Sequence, residues 1–423
     1  MSLAAAALLL LLQAPAQAAP GRGLPRVEPL PLALRLAAAS EPLPLEDFLE
    51  AALRFSGTAE QEFAAVKRRL LQLSEEARRA LEPISDPRDK AEGVLSFLHE
   101  RIFVRYDERQ TRIDVLLETG GYNCVSSGVL YALLAKALGF EVWGARTDDH
   151  AFCRIRAGGR SFDVETTSAF GFDPGARKEF TDSFGKVTGY TYVPPSSYRR
   201  RTEIGERALL ALILYNRSAF LGERQGYVEA VPPAVDAYAL LADRESHERM
   251  VAAFLNLGSW LGLQGEFLRG VDFLTLALDR HREPRLESLR NDLLHNWTLS
   301  LVTRREFTAA ERGLDAHRAA GLMSEGEWKS LTVYVYQIKA REAAAADFAA
   351  AAAVVRGGLA KVGPDAALER SFEVYVHNQV VTLIREHRLQ DAAAVIDEAL
   401  RFAPNSVRLK NDRSLVTARL NSP

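Results

Sequence analysis

Three side chains in the first half of the sequence have the chemistry needed for nucleophilic catalysis: Cys124, His150 and Asp163. Cys124 lies where the glycine-rich loop 120–123 passes into the apolar segment that starts at Val125. A helix N-terminus carries unpaired N–H groups and a partial positive charge, so a thiol there ionises readily. A thiolate, an imidazole and a carboxylate that orients the imidazole together perform acyl transfer through a thioester. We therefore predict Cys124 as the nucleophile, His150 as the base and Asp163 as the residue that orients it.

The segment after the cysteine has the pattern of a buried helix. Apolar residues recur at the spacing of one helical face: Val125, Val129, Leu130, Leu133, Leu134, Ala137 and Leu138. Gly139 follows as a typical C-terminal cap. The pattern predicts a helix that begins at Cys124 and ends before Gly139.

Three runs with strand character follow, at 140–145, 150–156 and 160–164, and Ala157-Gly158-Gly159 joins the last two as a hairpin turn. A turn centred between Ala157 and Gly158 puts His150 and Asp163 on the same face of the sheet. Asp163 then lies diagonal to His150, at roughly 7–8 Å between backbones. The sequence thus predicts a carboxylate within reach of the imidazole.

The order of these elements resembles the transglutaminase-like cysteine protein superfamily, a branch of the papain-like folds. In that family a cysteine begins a buried helix, a histidine opens a strand and an aspartate closes the next strand. Phe162-Asp163-Val164-Glu165-Thr166-Thr167 resembles the last element, with Val-Glu where proline is common. A helix predicted at Pro87 to Arg101 and the segments 103–106 and 112–118 are similar to the family's approach to the cysteine. The resemblance covers about residues 58–195 and implies an α+β papain-like core with a Cys-His-Asp triad.

The remaining candidate residues of this region have several interpretations. The backbone N–H of Cys124, with the side chain of Asn123, is the predicted oxyanion site. Cys153 faces away from His150 by strand alternation and is predicted to be a core residue; a disulfide with Cys124, a zinc site with Cys124 and His150, and a regulatory thiol remain open. The Cys-x-x-Cys pairs of zinc sites are missing, so neither a metal nor another cofactor is predicted. His99 is predicted to be solvated.

The N-terminus has the pattern of an export signal. An apolar run at 4–12 is followed by Ala14-Pro15-Ala16-Gln17-Ala18, which offers Ala-x-Ala cleavage sites. The apolar run is too short to span a bilayer comfortably. We expect a signal peptide at 1–18, a secreted or periplasmic protein and no transmembrane segment; an uncleaved tail is the alternative. Six prolines between 19 and 45 predict an extended linker.

From about residue 203 the sequence predicts helices only, with an internal repeat. Asn216, Asn256, Asn296, Gln337 and Asn378 recur at a nearly constant interval of about 40 residues, which is typical of stacked helical hairpins. A second series keeps a fixed offset from the first: Tyr227, Phe267, Phe307, Phe348 and Leu389. The units at 256–278 and 378–405 resemble tetratricopeptide repeats, although the period is about six residues longer than usual.

These patterns divide the 423 residues into a transglutaminase-like domain at 46–200 and a tetratricopeptide-like helical solenoid at 203–420. A net charge of −2 gives no electrostatic reason to expect nucleic acid or an anionic membrane as a partner. The predicted function is an exported cysteine-dependent peptidase or amidase that acts on a protein or peptide substrate. The alternatives are a protein-glutamine transglutaminase and an inactive interaction protein that binds a protein partner on its helical repeats.

Overall fold

The computed structural model describes residues 23–147, 150–176 and 201–421. In these ranges the protein is mostly α-helical with some β-structure: 17 helices hold 70% of the residues, beside a small sheet. The contacts divide the chain into a first unit, 1–264 with 272–287, and a second unit, 265–271 with 288–423. The predicted signal peptide at 1–18 lies outside the described residues. No helix of the described ranges is both long and apolar enough to cross a membrane.

In the described residues, the first unit opens with five helices that precede the cysteine helix in the chain. In chain order these elements are α1 (Pro31–Ala38), α2 (Leu45–Ser56), α3 (Glu60–Leu81), α4 (Pro87–Arg101), β1 (Arg105–Tyr106), α5 (Ile113–Thr119), β2 (Gly121–Tyr122) and α6 (Cys124–Ala137). The helix predicted at Pro87 to Arg101 is confirmed, because Asp86 caps it through the Asp89 N–H and proline occupies its first position. The start of α6 at Cys124 is confirmed as well.

The loop into α6 depends on one glycine. Strands β1 and β2 pair in parallel directly before the cysteine, with Tyr106 opposite Tyr122. At Gly120 the backbone has φ of +69°, and an added Cβ would lie 2.8 Å from the carbonyl oxygen of Ile102. Only glycine tolerates both this left-handed conformation and this close approach.

The sheet is antiparallel and contains β3 (Glu141–Arg146), β4 (Ala151–Ala157), β5 (Arg160–Val164) and β6 (Thr202–Ile204), in the order β5-β4-β3-β6. The turn between β4 and β5 consists of Gly158 and Gly159, with φ of +56° and +78°, as a two-residue hairpin turn requires. Ala157 pairs with Arg160, so the turn is centred one residue later than predicted. The predicted register is therefore wrong, and Arg154 rather than Phe152 lies opposite Asp163.

Helix α6 forms the centre of this core. It contacts β3 and β4 on one side and α2 and α4 on the other. Every residue from Val125 to Ala135 is buried, as expected for a helix that is apolar all round. The inner face of β4 completes the core with Ala151, Cys153, Ile155 and Ala157.

Three helices after the sheet also belong to the first unit: α7 (Glu206–Glu223), α8 (Tyr227–Leu241) and α9 (Arg244–Leu263). Helix α7 packs against α2, α6 and β3, and it buries Leu209, Leu210, Ile213 and Leu214 almost completely. The predicted domain boundary at about residue 203 thus falls inside the first unit, because α7 completes the core that α6 begins.

The segment predicted as an extended linker is packed over residues 23–45, and that prediction is wrong for this stretch. Pro31 begins helix α1, whose Ala33 and Leu36 are fully buried. Arg26 forms two hydrogen bonds with the buried carboxylate of Asp236 on α8, at 2.9 and 2.7 Å. Proline in this stretch begins a helix rather than keeping the chain extended.

Helix α1 offers a matched test of that packing. Leu36 has no exposed surface, whereas the Leu34 side chain, two residues earlier, is 53% exposed. We expect Leu36→Ala to lower the free energy of unfolding by about 2–5 kcal/mol, because it leaves a cavity in the core. Leu34→Ala, the control, should change it by less than about 0.5 kcal/mol. Urea unfolding followed by circular dichroism measures both, and equal small effects would contradict the packed position of α1.

The remaining helices continue as hairpins: α10 (Phe267–Leu278), α11 (Pro284–Thr303), α12 (Phe307–Ala319), α13 (Glu325–Ala344), α14 (Phe348–Val362), α15 (Ala366–Arg385), α16 (Leu389–Phe402) and α17 (Val407–Leu420). The second helix of each hairpin begins at a residue of the predicted repeat: Tyr227, Phe267, Phe307, Phe348 and Leu389. Two residues before four of these starts the backbone is left-handed, at Gln225, Gly265, Arg305 and His387. The period predicted from the sequence thus coincides with the helix starts.

Candidate active site

Cys124 is the first residue of α6, and its neighbours form a capping box. The side-chain oxygen of Asn123 accepts hydrogen bonds from the N–H groups of Val125 and Ser126, at 3.0 and 2.9 Å. The hydroxyl of Ser126 accepts the N–H of Asn123 in return. The cap does not use the N–H of Cys124. This N–H belongs to the first turn of α6, where the helix dipole is positive. Cys124 is half-buried and hence reachable from solvent.

His150 lies directly before β4 and links the thiol to a carboxylate. Its Nε2 is 2.6 Å from Oε2 of Glu165, and its ring also forms a hydrogen bond with the side chain of Cys124. Burial by itself lowers the pKa of His150. The Glu165 carboxylate and the bond with Cys124 outweigh that effect and raise the pKa of His150 well above its usual range. The contacts with Glu165 and Cys124 thus favour the protonated form of the imidazole.

Glu165, not Asp163, is the carboxylate that contacts the imidazole. The glycine turn shifts the pairing of β4 and β5 by two residues, so the position diagonal to His150 belongs to Glu165. The side chain of Glu165 has no exposed surface, and that of His150 is 15% exposed. Two hydrogen bonds from Thr167, one from its N–H and one from its hydroxyl, hold Oε1 of Glu165 at 3.2 and 2.6 Å. A buried carboxylate that is fully hydrogen-bonded holds the imidazole in one orientation.

Asp163 lies elsewhere on the sheet. Its Oδ1 accepts a hydrogen bond from Nε of Arg154 at 2.9 Å, and its other oxygen pairs with Arg201. Arg154 is the cross-strand partner of Asp163, so the register that moves Glu165 towards His150 moves Asp163 away from it. Asp163 thus forms a structural ion pair on the sheet, and the structure does not bring it together with Cys124 and His150.

A second layer of polar contacts fixes the segment that carries Glu165. The hydroxyls of Ser127 and Thr166 lie 2.7 Å apart. His99 is half-buried rather than solvated as predicted, because its Nε2–H donates to the carbonyl oxygen of Thr166 at 3.1 Å. Burial lowers the pKa of His99, against the opposing effect of that hydrogen bond. His99 therefore positions the strand end and takes no part in the thiol chemistry.

The side chain of Asn123, predicted as part of the oxyanion site, is held by structural hydrogen bonds. Its oxygen caps α6, and its Nδ2 donates to the carbonyl oxygen of Glu108 at 2.9 Å. The backbone N–H of Cys124 keeps the predicted position at the N-terminus of the helix. These hydrogen bonds leave one N–H of the Asn123 amide and the backbone N–H of Cys124 unused, so the oxyanion role of both stays a prediction.

Cys153 is a core residue, as strand alternation predicts. Its thiol is fully buried and donates to the carbonyl oxygen of Gly128 at 3.2 Å, and burial raises its pKa well above the usual range. Both cysteines are free thiols, so the structure contains no Cys124–Cys153 disulfide. Across 23–147, 150–176 and 201–421, no group of three or more His, Cys, Asp or Glu side chains is arranged to hold a metal ion.

The thiol and the imidazole open into a cavity of about 220 Å³. Its wall is shared between the α+β core and the helices that follow: Tyr106, Glu108, Asn123, Cys124, Val125, Arg146, Thr147, His150, Ala151, Leu212, Tyr215, Asn216, Phe220 and Arg249. Arg146 and Arg249 are both hydrogen-bonded to Glu245. Sequence reasoning missed the contribution of α7 and α9, because it placed them in a separate domain.

Comparison with known proteins gives no family for this chain: no protein-family model and no curated protein matches it. The chemistry of the site therefore rests on its own geometry.

Proposed function

We propose that the protein is a cysteine-dependent acyl-transfer enzyme, a peptidase or amidase that works through Cys124, His150 and Glu165. One observation carries the proposal: His150 bridges a thiol at a helix N-terminus and a fully buried carboxylate, at the wall of an open cavity. Nucleophile, base and orienting acid within hydrogen-bond reach are the signature of covalent acyl transfer. A glutamate takes the role that the sequence suggested for Asp163.

Acylation begins with the thiolate of Cys124. Its sulfur attacks the carbonyl carbon of an amide, a C–S bond forms, and the carbonyl oxygen gains a negative charge next to the Cys124 N–H. The imidazolium of His150 then donates its proton to the leaving nitrogen, and the C–N bond breaks. The products of this half-reaction are an amine and a thioester on Cys124. The Glu165 carboxylate orients and stabilises the imidazolium, as the acid of a triad does.

Deacylation uses the same imidazole in reverse. Neutral His150 takes a proton from water, the hydroxyl oxygen attacks the thioester carbonyl, and the C–S bond breaks. The carboxylic acid leaves, and the thiolate–imidazolium pair is restored. Water rather than an amine is the proposed second nucleophile, because the sequence offers no feature of an amine site.

The proposed relationship is to the transglutaminase-like cysteine proteins, with tetratricopeptide-like helical hairpins after the catalytic core. The order of elements supports the first part: a cysteine at the start of a buried helix, a histidine before a strand and an acid after the next strand. The regular interval between the helix starts supports the second. A secreted or periplasmic location, with cleavage after residue 18, completes the proposal.

Acylation by an activated substrate tests the proposed function directly. A simple thioester such as acetyl benzyl thioester should acylate Cys124, and acid quenching followed by mass spectrometry should show one acetyl group on the peptide that contains it. Cys124→Ser should give no adduct at that position, because a hydroxyl is far harder to ionise than a thiol. Cys153, which is buried, is the internal control and should stay unmodified. Absence of the adduct in the wild-type protein, together with no turnover of the thioester, would favour an inactive interaction protein.

A further inference from the structure

A second cavity adjoins the one that holds the thiol. It measures about 330 Å³ and lies among α7, α8 and α9, all of them in the first unit. The two cavities share Tyr215 and Arg249 as lining residues, and the Arg249 guanidinium lies 4.6 Å from the centre of the Tyr215 ring. The shared pair therefore borders both cavities, which lie next to each other and are together called the groove below.

Helix α7 sets the length of this combined groove. The thiol cavity uses Leu212, Tyr215, Asn216 and Phe220, whereas the second cavity uses Tyr215, Ser218, Ala219, Gly222 and Glu223. At 1.5 Å per residue, the distance along the helix from Leu212 to Glu223 is roughly 16 Å. An extended polypeptide rises about 3.3 Å per residue, so the groove matches roughly five residues of chain.

The lining of the second cavity suits a polypeptide. Its small side chains allow close approach of a backbone: Ala219, Gly222, Ala230, Ala234, Ala252 and Ala253. Asn256 adds an amide with both donor and acceptor groups, as peptide bonds need. The rings of Tyr215 and Tyr227 provide apolar surface for side chains. One arginine and one glutamate give no excess of charge that would select a polyanion.

We infer that the substrate is an extended peptide of about five residues, bound along α7 in the two adjoining cavities with its reacting carbonyl at Cys124. This inference rests on the proposed function, because it names the substrate of the same thiol. The helices after the sheet then have a second role besides completing the core. They form the subsites that bind the substrate residues remote from the reacting bond. Binding energy from such remote residues accelerates the reaction at the thiol.

Two ladders of thioesters test the inference. The first carries one to six alanines on the acyl side, as N-acetyl-alanine peptide benzyl thioesters. The second carries them on the thiol leaving group, as acetyl thioesters of thioglycolyl-alanine amides. Wild-type protein should show kcat/KM rising by at least about tenfold between one and five residues in one ladder, and levelling off there. The released thiol, separated by chromatography, gives the rate.

A filled groove provides the matched comparison. Gly222 lines the second cavity, and an added Cβ there meets no atom within 4 Å, so Gly222→Leu places a side chain in open space. This variant should flatten the ladder that rises in the wild type. Gly326→Leu makes the same change in an unrelated cavity of the second unit and should keep the rise.

The outcomes separate the inference from the proposed function. If all thioesters are turned over but kcat/KM does not change with length in either series, the peptide groove is overturned and the acyl-transfer function still stands. A rise that Gly222→Leu leaves unchanged would overturn the groove as well. No turnover and no adduct on Cys124 would overturn the proposed function and, with it, this inference.

Discussion

Replacement of Glu165 by glutamine is expected to reduce turnover of a thioester by up to about 10⁴-fold, the loss seen when the carboxylate of a serine triad becomes an amide. Glutamine keeps the size of the side chain, but its neutral amide no longer stabilises the imidazolium of His150. The raised pKa of that histidine depends on the Glu165 carboxylate, so the variant should also hold less of the imidazolium form. Steady-state rates at pH 7 measure the effect.

Asp163→Asn is the matched control for this experiment. It removes an equivalent charge two residues away, where the carboxylate contacts Arg154 and Arg201 and not the imidazole. Since that ion pair is partly exposed, its loss should cost at most about 1 kcal/mol of stability and leave the rate within a few-fold of wild type. A large loss in Asp163→Asn with little change in Glu165→Gln would show that the sequence-based triad, not the observed one, operates in solution.

The carboxylate was predictable in kind but not in position. Two acidic residues, Asp163 and Glu165, follow the hairpin turn. They are two positions apart, so both lie on the same face of the sheet. Which of them reaches His150 depends on whether the turn is centred at Ala157-Gly158 or at Gly158-Gly159. Two consecutive glycines favour the second arrangement, since both central residues of a type I′ turn have positive φ. A shift of one residue in the turn moves the pairing by two and exchanges the acids.

The start of the cysteine helix followed from local signals alone. Asn123 and Ser126 form a reciprocal cap, and an apolar run follows, so the position of the thiol depends on residues adjacent in sequence. The helix at Pro87 to Arg101 has the same kind of local origin. Both predictions are therefore confirmed to the residue at their starts.

The packing of elements that are distant in the chain could not be predicted from the sequence. The repeat period marks the starts of α8 and α10, but it says nothing of what α7, α8 and α9 pack against. Helix α7 buries its apolar residues against α2 and α6, which precede the whole sheet in the chain. The proline-rich segment before α2 illustrates the same limit: its burial depends on Asp236, a residue far along the chain. The cavity at the thiol thus has a wall that no local pattern predicts.

Alkylation of Cys124 should lose most of its rate below neutral pH when His150 is replaced by alanine. Because the pKa of His150 is raised above its usual 6.5, the imidazolium persists at pH values where a free histidine is already neutral. In the wild type, the rate with iodoacetamide should therefore fall less steeply than in the variant as the pH is lowered from about 8 to 6. In His150→Ala, Cys124 keeps the helix N-terminus but loses the imidazolium beside it, so its rate should be lower than in the wild type at each of these pH values.

The expected difference between the two proteins is on the order of tenfold at pH 7, and it should widen as the pH is lowered. Mass spectrometry of the digested protein follows each cysteine separately. Cys153 should label slowest in both proteins, because it is fully buried and burial raises its pKa. Identical pH profiles for wild type and variant would mean that the imidazole does not ionise the thiol, and the helical hairpins would then be the functional part of the chain.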